Sequence, residues 1–143
     1  MKKSHENILL NLSDDELLAR LIWGEARNQS VEGMVAVACV VINRQNDYRK
    51  RFGSTLYGVI TRKWAFSCFN DKDPNLPKLI DNPGKPIVKC RIIAELANLE
   101  LLNDITDGAT HYHTLNSDPT WNDNPRLMVP TVTIGGHKFY CEA

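Results

Sequence analysis

Val31-Glu32-Gly33-Met34-Val35-Ala36-Val37-Ala38-Cys39-Val40-Val41-Ile42-Asn43-Arg44 is the run on which the fold turns. Its β-branched residues would suit a strand. Its length, well over ten residues, and the Ser30 ahead of it favour a helix. The middle is apolar on every side, so it should be a buried central helix rather than an amphipathic surface one. Upstream, Ser13-Asp14-Asp15-Glu16 has the form of a capping box. Leu17, Leu18, Leu21 and Ile22 follow at helical spacing, predicting a helix from about Asp14 to Arg27. Downstream, a short helix is expected within Phe52–Thr61 after the Gly53-Ser54 break. Residues 70–85, with Pro74, Pro77, Pro83 and Gly84, read as a long loop. Pro86 should open a third long helix, about Ile87 to Leu102, with Ile92, Ile93, Leu96, Leu99 and Leu102 on one face.

After Asp107-Gly108 the period changes. Ala109–Thr114 and Met128–Ile134 read as strands, and Gly135-Gly136 is a turn from which His137–Cys141 returns as a partner strand. The expected class is α+β: a mainly helical domain with a small antiparallel sheet near the C-terminus. Residues 1–12 read as a tail or a short docking segment, and 13–143 as a single domain.

The chain has 143 residues, the size of one domain, and needs no disulfide or metal to hold a core. Lys+Arg and Asp+Glu are both 17, and this balance argues against nucleic-acid binding by bulk charge. Cys39, Cys68, Cys90 and Cys141 form no C-x-x-C pair, so a zinc knuckle is not expected and the thiols read as reduced and structural. Met1-Lys2-Lys3 resembles the start of a signal peptide, but only Ile8-Leu9-Leu10 follows as an apolar stretch, so cytoplasmic synthesis without a signal peptide is expected. No window approaches the ~20 apolar residues of a membrane span.

Glu25 is the most pointed candidate for chemistry. It lies four residues after Leu21 and three after Ile22, on or beside the apolar stripe, and in the last turn of its helix. Burial and the helix dipole there both work against a charged carboxylate, the setting a general acid needs. The competing reading is a glutamate paired with Arg27 at a helix end. His111-x-His113, with His137 across a hairpin, has the outline of a zinc site, though histidines on such a strand more often pack or hydrogen-bond. Trp23, Trp64, Phe66, Tyr112, Trp121 and Tyr140 could pack in the core or stack on sugar rings. No P-loop, G-x-G-x-x-G or G-x-S-x-G is present.

Ala19-Arg20-Leu21-Ile22-Trp23-Gly24-Glu25-Ala26-Arg27 and the run Glu32 to Arg44 together resemble the spore cortex-lytic enzyme family of bacterial cell-wall hydrolases, which reads A-R-x-I-x-G-E-A-R and then E-G-x-V-A-V-A-x-V-x-x-N-R. The similarity continues through Gly58-Val59-Ile60, Trp64-Ala65-Phe66-Ser67, Gly108-Ala109-Thr110-His111-Tyr112-His113, Trp121 and Gly136-His137-x-Phe139-Tyr140. It departs at the 70–85 loop.

The resemblance implies a lysozyme-like catalytic domain that cuts peptidoglycan between N-acetylmuramic acid and N-acetylglucosamine, with Glu25 as the catalytic acid. It implies Ser67, Phe66, Tyr112, His111, Trp121 and Tyr140 as residues that handle the glycan. Lytic transglycosylase chemistry needs one carboxyl group. A muramidase needs two, and Glu32 is the best second candidate, although at the start of its helix it can equally serve the dipole. An N-acetylmuramoyl-L-alanine amidase would need a zinc triad, and neither metal nor cofactor is expected. The expected partner is the glycan strand itself, acted on at the cell wall by a monomer, as in a phage endolysin or an exported bacterial enzyme. The reading from another class is a non-catalytic wall-binding or phage structural module on the same fold.

Overall fold

A computed structural model describes residues 1–63, 65–81, 84, 87–123 and 127–143. Six helices precede three strands: α1 Lys3–Leu10, α2 Asp14–Ala26, α3 Val31–Gln45, α4 Leu56–Thr61, α5 Leu76–Ile80, α6 Val88–Asn98, then β1 His111–Thr114, β2 Met128–Ile134 and β3 His137–Glu142. The mainly helical α+β class expected from the sequence is the observed one.

Each long helix starts where its cap stands. Ser13 Oγ accepts from the Glu16 amide at 3.1 Å, and Ser30 Oγ accepts from the Gly33 amide at 3.3 Å. Both satisfy an amide that the first turn leaves without a carbonyl. The Glu16 side chain does not complete a capping box. It binds Arg20 and Arg91 instead, at 3.1 and 2.8 Å.

α3 is the central helix. Met34, Val37, Ala38 and Val41 pack with α2, α4 and α6, while Ala36 and Val40 face Ala109, Ile134 and Phe139 of the sheet side. A helix with core on both flanks has no polar stripe, which is why its sequence is apolar throughout. The sheet order is β1-β3-β2, all antiparallel, with β2 and β3 joined through Gly135 at φ 55°. Register places His111 opposite Tyr140 and Tyr112 opposite Phe139. The segment before α2 forms α1, whose Leu9 is fully buried against the helical core.

Two expectations about α6 need correction. The helix ends at Asn98 rather than Leu102. Glu100 adopts φ 58°, its amide bonds Ala97 O, and the Leu101 amide bonds back to Leu96 O at 2.9 Å. That is a Schellman stop built on a glutamate. Because a non-glycine residue in this conformation is uncommon, nothing in the sequence announces it. The buried face is also different. Cys90, Ile93, Ala94 and Ala97 are buried, at i, i+3, i+4 and i+7, while Ile92 is 54% exposed and Leu96 and Leu99 also face solvent. The small alanines present a low surface to α2 and α3, on which the helix packs.

The 70–85 loop is also more ordered than its composition suggests. α5 lies within it, with Pro77 in its first turn, and buries Leu76 and Leu79. Five residues are too few to display a helical period. Arg20, only 6% exposed, donates from Nη1 to Leu79 O at 2.8 Å and Ile80 O at 2.9 Å, capping this short helix. Arg27 holds Asn75 Oδ1 at 2.8 Å, and the N-terminal amine pairs with Asp71. Pro86, expected to open α6, lies outside the described residues. All four cysteines are free thiols.

Candidate active site

Glu25 projects from the last turn of α2, with Leu21, Ile22 and Ala26 buried around it. Gly24 allows α2 to approach the 3-10 turn Ser67–Phe69 closely. A Cβ at Gly24 would stand 3.0 Å from Cys68 Sγ and 3.0 Å from Leu79 Cδ2. That approach sets the Cys68 thiol beside the Glu25 carboxyl.

From the sheet side, Tyr112 Oη donates to Glu25 Oε2 at 2.8 Å. Side chains alternate along β1, so Tyr112 points toward the helices while His111 and His113 point away. Glu25 Oε1 is buried and has no hydrogen-bond partner among the described residues. The carboxyl is therefore held by one oxygen and unoccupied at the other. The expected alternative, an ion pair with Arg27, does not form. Arg27 lies 4.5 Å over the Trp23 ring and turns to Asn75.

The groups around this carboxyl are kept neutral. Burial, and then the Glu25 carboxylate, raises the Tyr112 phenol well above its ordinary range, so it remains a donor at working pH. The same two causes push the Cys68 thiol up. Burial lowers His137, which is 3% exposed with an unpartnered Nδ1 and its ring 5.0 Å from that of Tyr112. One cation stands near: Arg44, from the end of α3, lies 4.8 Å over the Phe66 ring and donates from Nε to Thr110 O at 2.6 Å.

A family model described as cell wall hydrolase matches residues 28–140. The chain belongs to that family. Its matched interval opens three positions after Glu25. The curated relatives include the spore cortex-lytic enzymes of Halalkalibacterium halodurans, 33% identical over 132 residues covering 89% of this chain, and of Bacillus subtilis, 41% identical over 59 residues covering 41% of it. The chain spans 34% and 19% of the lengths of those two proteins. Among solved structures, the catalytic domain of Bacillus cereus SleB is similar with a TM-score of 0.67 at 27% identity, covering 89% of this chain and 88% of that one. The catalytic domain of the germination-specific lytic transglycosylase SleB from Bacillus anthracis is similar with a TM-score of 0.70 at 26% identity, covering 91% and 97%.

The other site residues of this cell wall hydrolase domain divide between two faces of the sheet. Ser67 is exposed, next to Cys68. Phe66 is buried beneath Arg44. His111, His113, Tyr140 and Trp121 assemble on the face turned away from Tyr112. The Trp121 ring lies 5.3 Å from His111 and 5.2 Å from Tyr140, and His113 Nε2 meets Tyr140 Oη at 2.9 Å. Burial, followed by Arg44 and Arg51, lowers His111 to about 4. Trp121 is the partly exposed member, and Tyr140 is buried.

His137 faces Tyr112 and Phe139, on the other side of the sheet from His111 and His113, so these three histidines do not form one cluster. Trp64 lies outside the described residues. Reasoning from the sequence missed Cys68, His137 and Arg44 as neighbours of Glu25. Arg44 closes the central run, but its direction depends on where α3 ends against β1.

Proposed function

We propose that the domain cleaves the β-1,4 bond between N-acetylmuramic acid and N-acetylglucosamine in peptidoglycan as a lytic transglycosylase, with Glu25 as its single acid and base. The observation that carries this is the asymmetric carboxyl, with Tyr112 on Oε2 and nothing on a buried Oε1. When the group is protonated, the Tyr112 O–H occupies Oε2, so the proton resides on Oε1. It is there available to the glycosidic oxygen. As the proton leaves, the Tyr112 bond strengthens onto a carboxylate. Oε1 then takes the proton of the muramoyl 6-hydroxyl, whose oxygen attacks the anomeric carbon. The new C1–O6 bond replaces the broken glycosidic bond, and Glu25 ends as it began. The nucleophile belongs to the substrate and is already held beside the reacting carbon, so no second carboxylate is needed.

Glu32, the second acid considered, is exposed in the first turn of α3, where it suits the helix dipole. The domain's membership of the cell wall hydrolase family and its likeness to SleB catalytic domains support the substrate class.

Mass spectrometry of the muropeptides tests the reaction directly. Products are expected to end in 1,6-anhydromuramic acid, one water lighter than hydrolysis products. Reducing muramic ends would overturn the transglycosylase reading in favour of a muramidase. Asp73 would then be the acid to replace first, because its charge acts on the Cys68 thiol beside Glu25.

Tyr112→Phe is expected to fold and to lose about 10- to 100-fold in cleavage rate, the equivalent of one charge-assisted hydrogen bond of ~1.5–3 kcal/mol. The check is clearing of purified peptidoglycan per folded molecule. Full activity in the Phe variant would remove Tyr112 from the mechanism.

A further inference from the structure

Arg44 is a buried cation that is only partly provided for. It is 8% exposed, with the Phe52 ring 5.2 Å and the Phe66 ring 4.8 Å from its guanidinium carbon. Nε donates to Thr110 O, which anchors the chain entering β1. Among the described residues Arg44 takes part in no ion pair. A guanidinium taken out of water without a carboxylate in contact is costly, and an apolar side chain of similar length would fill the same space more cheaply. Two aromatic faces offset part of that cost. The acids whose charge reaches Arg44 are Glu25 and Glu142. Glu142 is already bound to Arg51 at 2.6 Å and faces His111 at 3.7 Å. Glu25 has no cation in contact, and its Oε1 is unpartnered.

We propose that Arg44 is a positioning residue of this site: its guanidinium is the resident counter-charge for the carboxylate that Glu25 becomes each time it gives up its proton. The inference rests on Glu25 being the acid. The groups facing Glu25 are Tyr112 from β1, Cys68 from the Ser67–Phe69 turn, His137 from β3 and Arg44 from α3. The first two are held protonated and His137 is held neutral by burial, so Arg44 is the charged member of the set. A fixed cation close to, but not touching, the carboxyl favours the ionised form without blocking Oε1. The carboxylate intermediate is thereby made cheaper, and the Nε bond keeps the cation in register with the strand that carries Tyr112.

The test follows the Glu25 carboxyl by carbon-13 NMR through a pH titration of the folded full chain. In Arg44→Met and Arg44→Gln the Glu25 midpoint is expected to rise by about half a pH unit or more, because removal of a nearby opposite charge favours the protonated form. In Arg44→Lys, which keeps the charge, it should stay within ~0.3 unit of wild type, while the melting temperature falls with the lost Nε–Thr110 bond. The alkaline limb of peptidoglycan clearing should move upward in the neutral variants by the same amount as the midpoint. An unchanged midpoint in the neutral variants, or a Lys variant that moves as far as they do, overturns the proposal. Failure of both neutral variants to fold also overturns it, since Arg44 would then be a strut of the fold. The titration needs no activity. An active Glu25→Gln variant would defeat the acid assignment while leaving the Arg44 measurement to stand or fall by itself.

Discussion

Glu25→Gln yields a folded protein that has lost peptidoglycan cleavage by at least ~10² to 10⁴, the usual contribution of a positioned general acid. The amide keeps the length and shape of the side chain, and its oxygen can still accept from Tyr112 Oη as Oε2 does at 2.8 Å. The packing that locates the residue comes from Gly24, Cys68 and Leu79 and is untouched. What disappears is a proton that can leave and return. The measurement is the rate of turbidity loss on purified peptidoglycan, normalised to folded protein by circular dichroism. Half of wild-type activity in the Gln variant would sink the assignment, and no supporting residue could restore it. Inactivity with a normal melt would also separate the enzyme from a binding module, if the variant still sediments with peptidoglycan.

Arg20→Met is expected to cost about 3 kcal/mol of stability, near the value for removing one partner from a buried charged network. Arg20 is nine-tenths buried, and its Nη1 satisfies two carbonyls at the end of α5 while Nε binds Glu16. Methionine can retain the apolar contacts of the arginine stem but leaves Leu79 O and Ile80 O without their donor. At this chain length the loss corresponds to a fall in melting temperature of ~10 °C. A thermal melt reads it, and a fall under ~2 °C would mean that α5 finds another cap. Leu79 also lies against Gly24, so loosening α5 should reach the Glu25 end of α2 and reduce clearing beyond the loss of folded protein.

The readable parts of this protein are those decided by residues close in the chain. Ser13 and Ser30 announce the starts of α2 and α3, and both serve as caps. The alternation of β2 and β3 about Gly135-Gly136 gives the hairpin directly. Glu25 could be singled out because a carboxylate beside the apolar stripe at a helix end is unusual, and the G-E-A-R resemblance assigns it a role. The unreadable parts depend on packing. α6 stops four residues early because Glu100 accepts a backbone conformation that glycine usually takes, and its buried stripe follows two alanines rather than the larger Ile92, Leu96 and Leu99. α5 is hidden in a Pro-rich loop because its stabilising donors, on Arg20 and Arg27, lie about fifty to sixty positions away.

The sequence alone determined the helix-then-strand order, the central place of the 31–44 run and the choice of Glu25, because capping, periodicity and an out-of-place charge are properties of neighbours in the chain. Only the tertiary structure decided what surrounds that charge. Tyr112 is 87 positions from Glu25, and whether β1 turns Tyr112 or its flanking histidines toward α2 depends on register with β3. The same register sends His111 and Tyr140 to the far face and brings Arg44 alongside the start of β1. Side-chain direction in a strand reverses with every residue, so the composition of His111-Tyr112-His113 could name the groups, but only the packed sheet could assign them to a side.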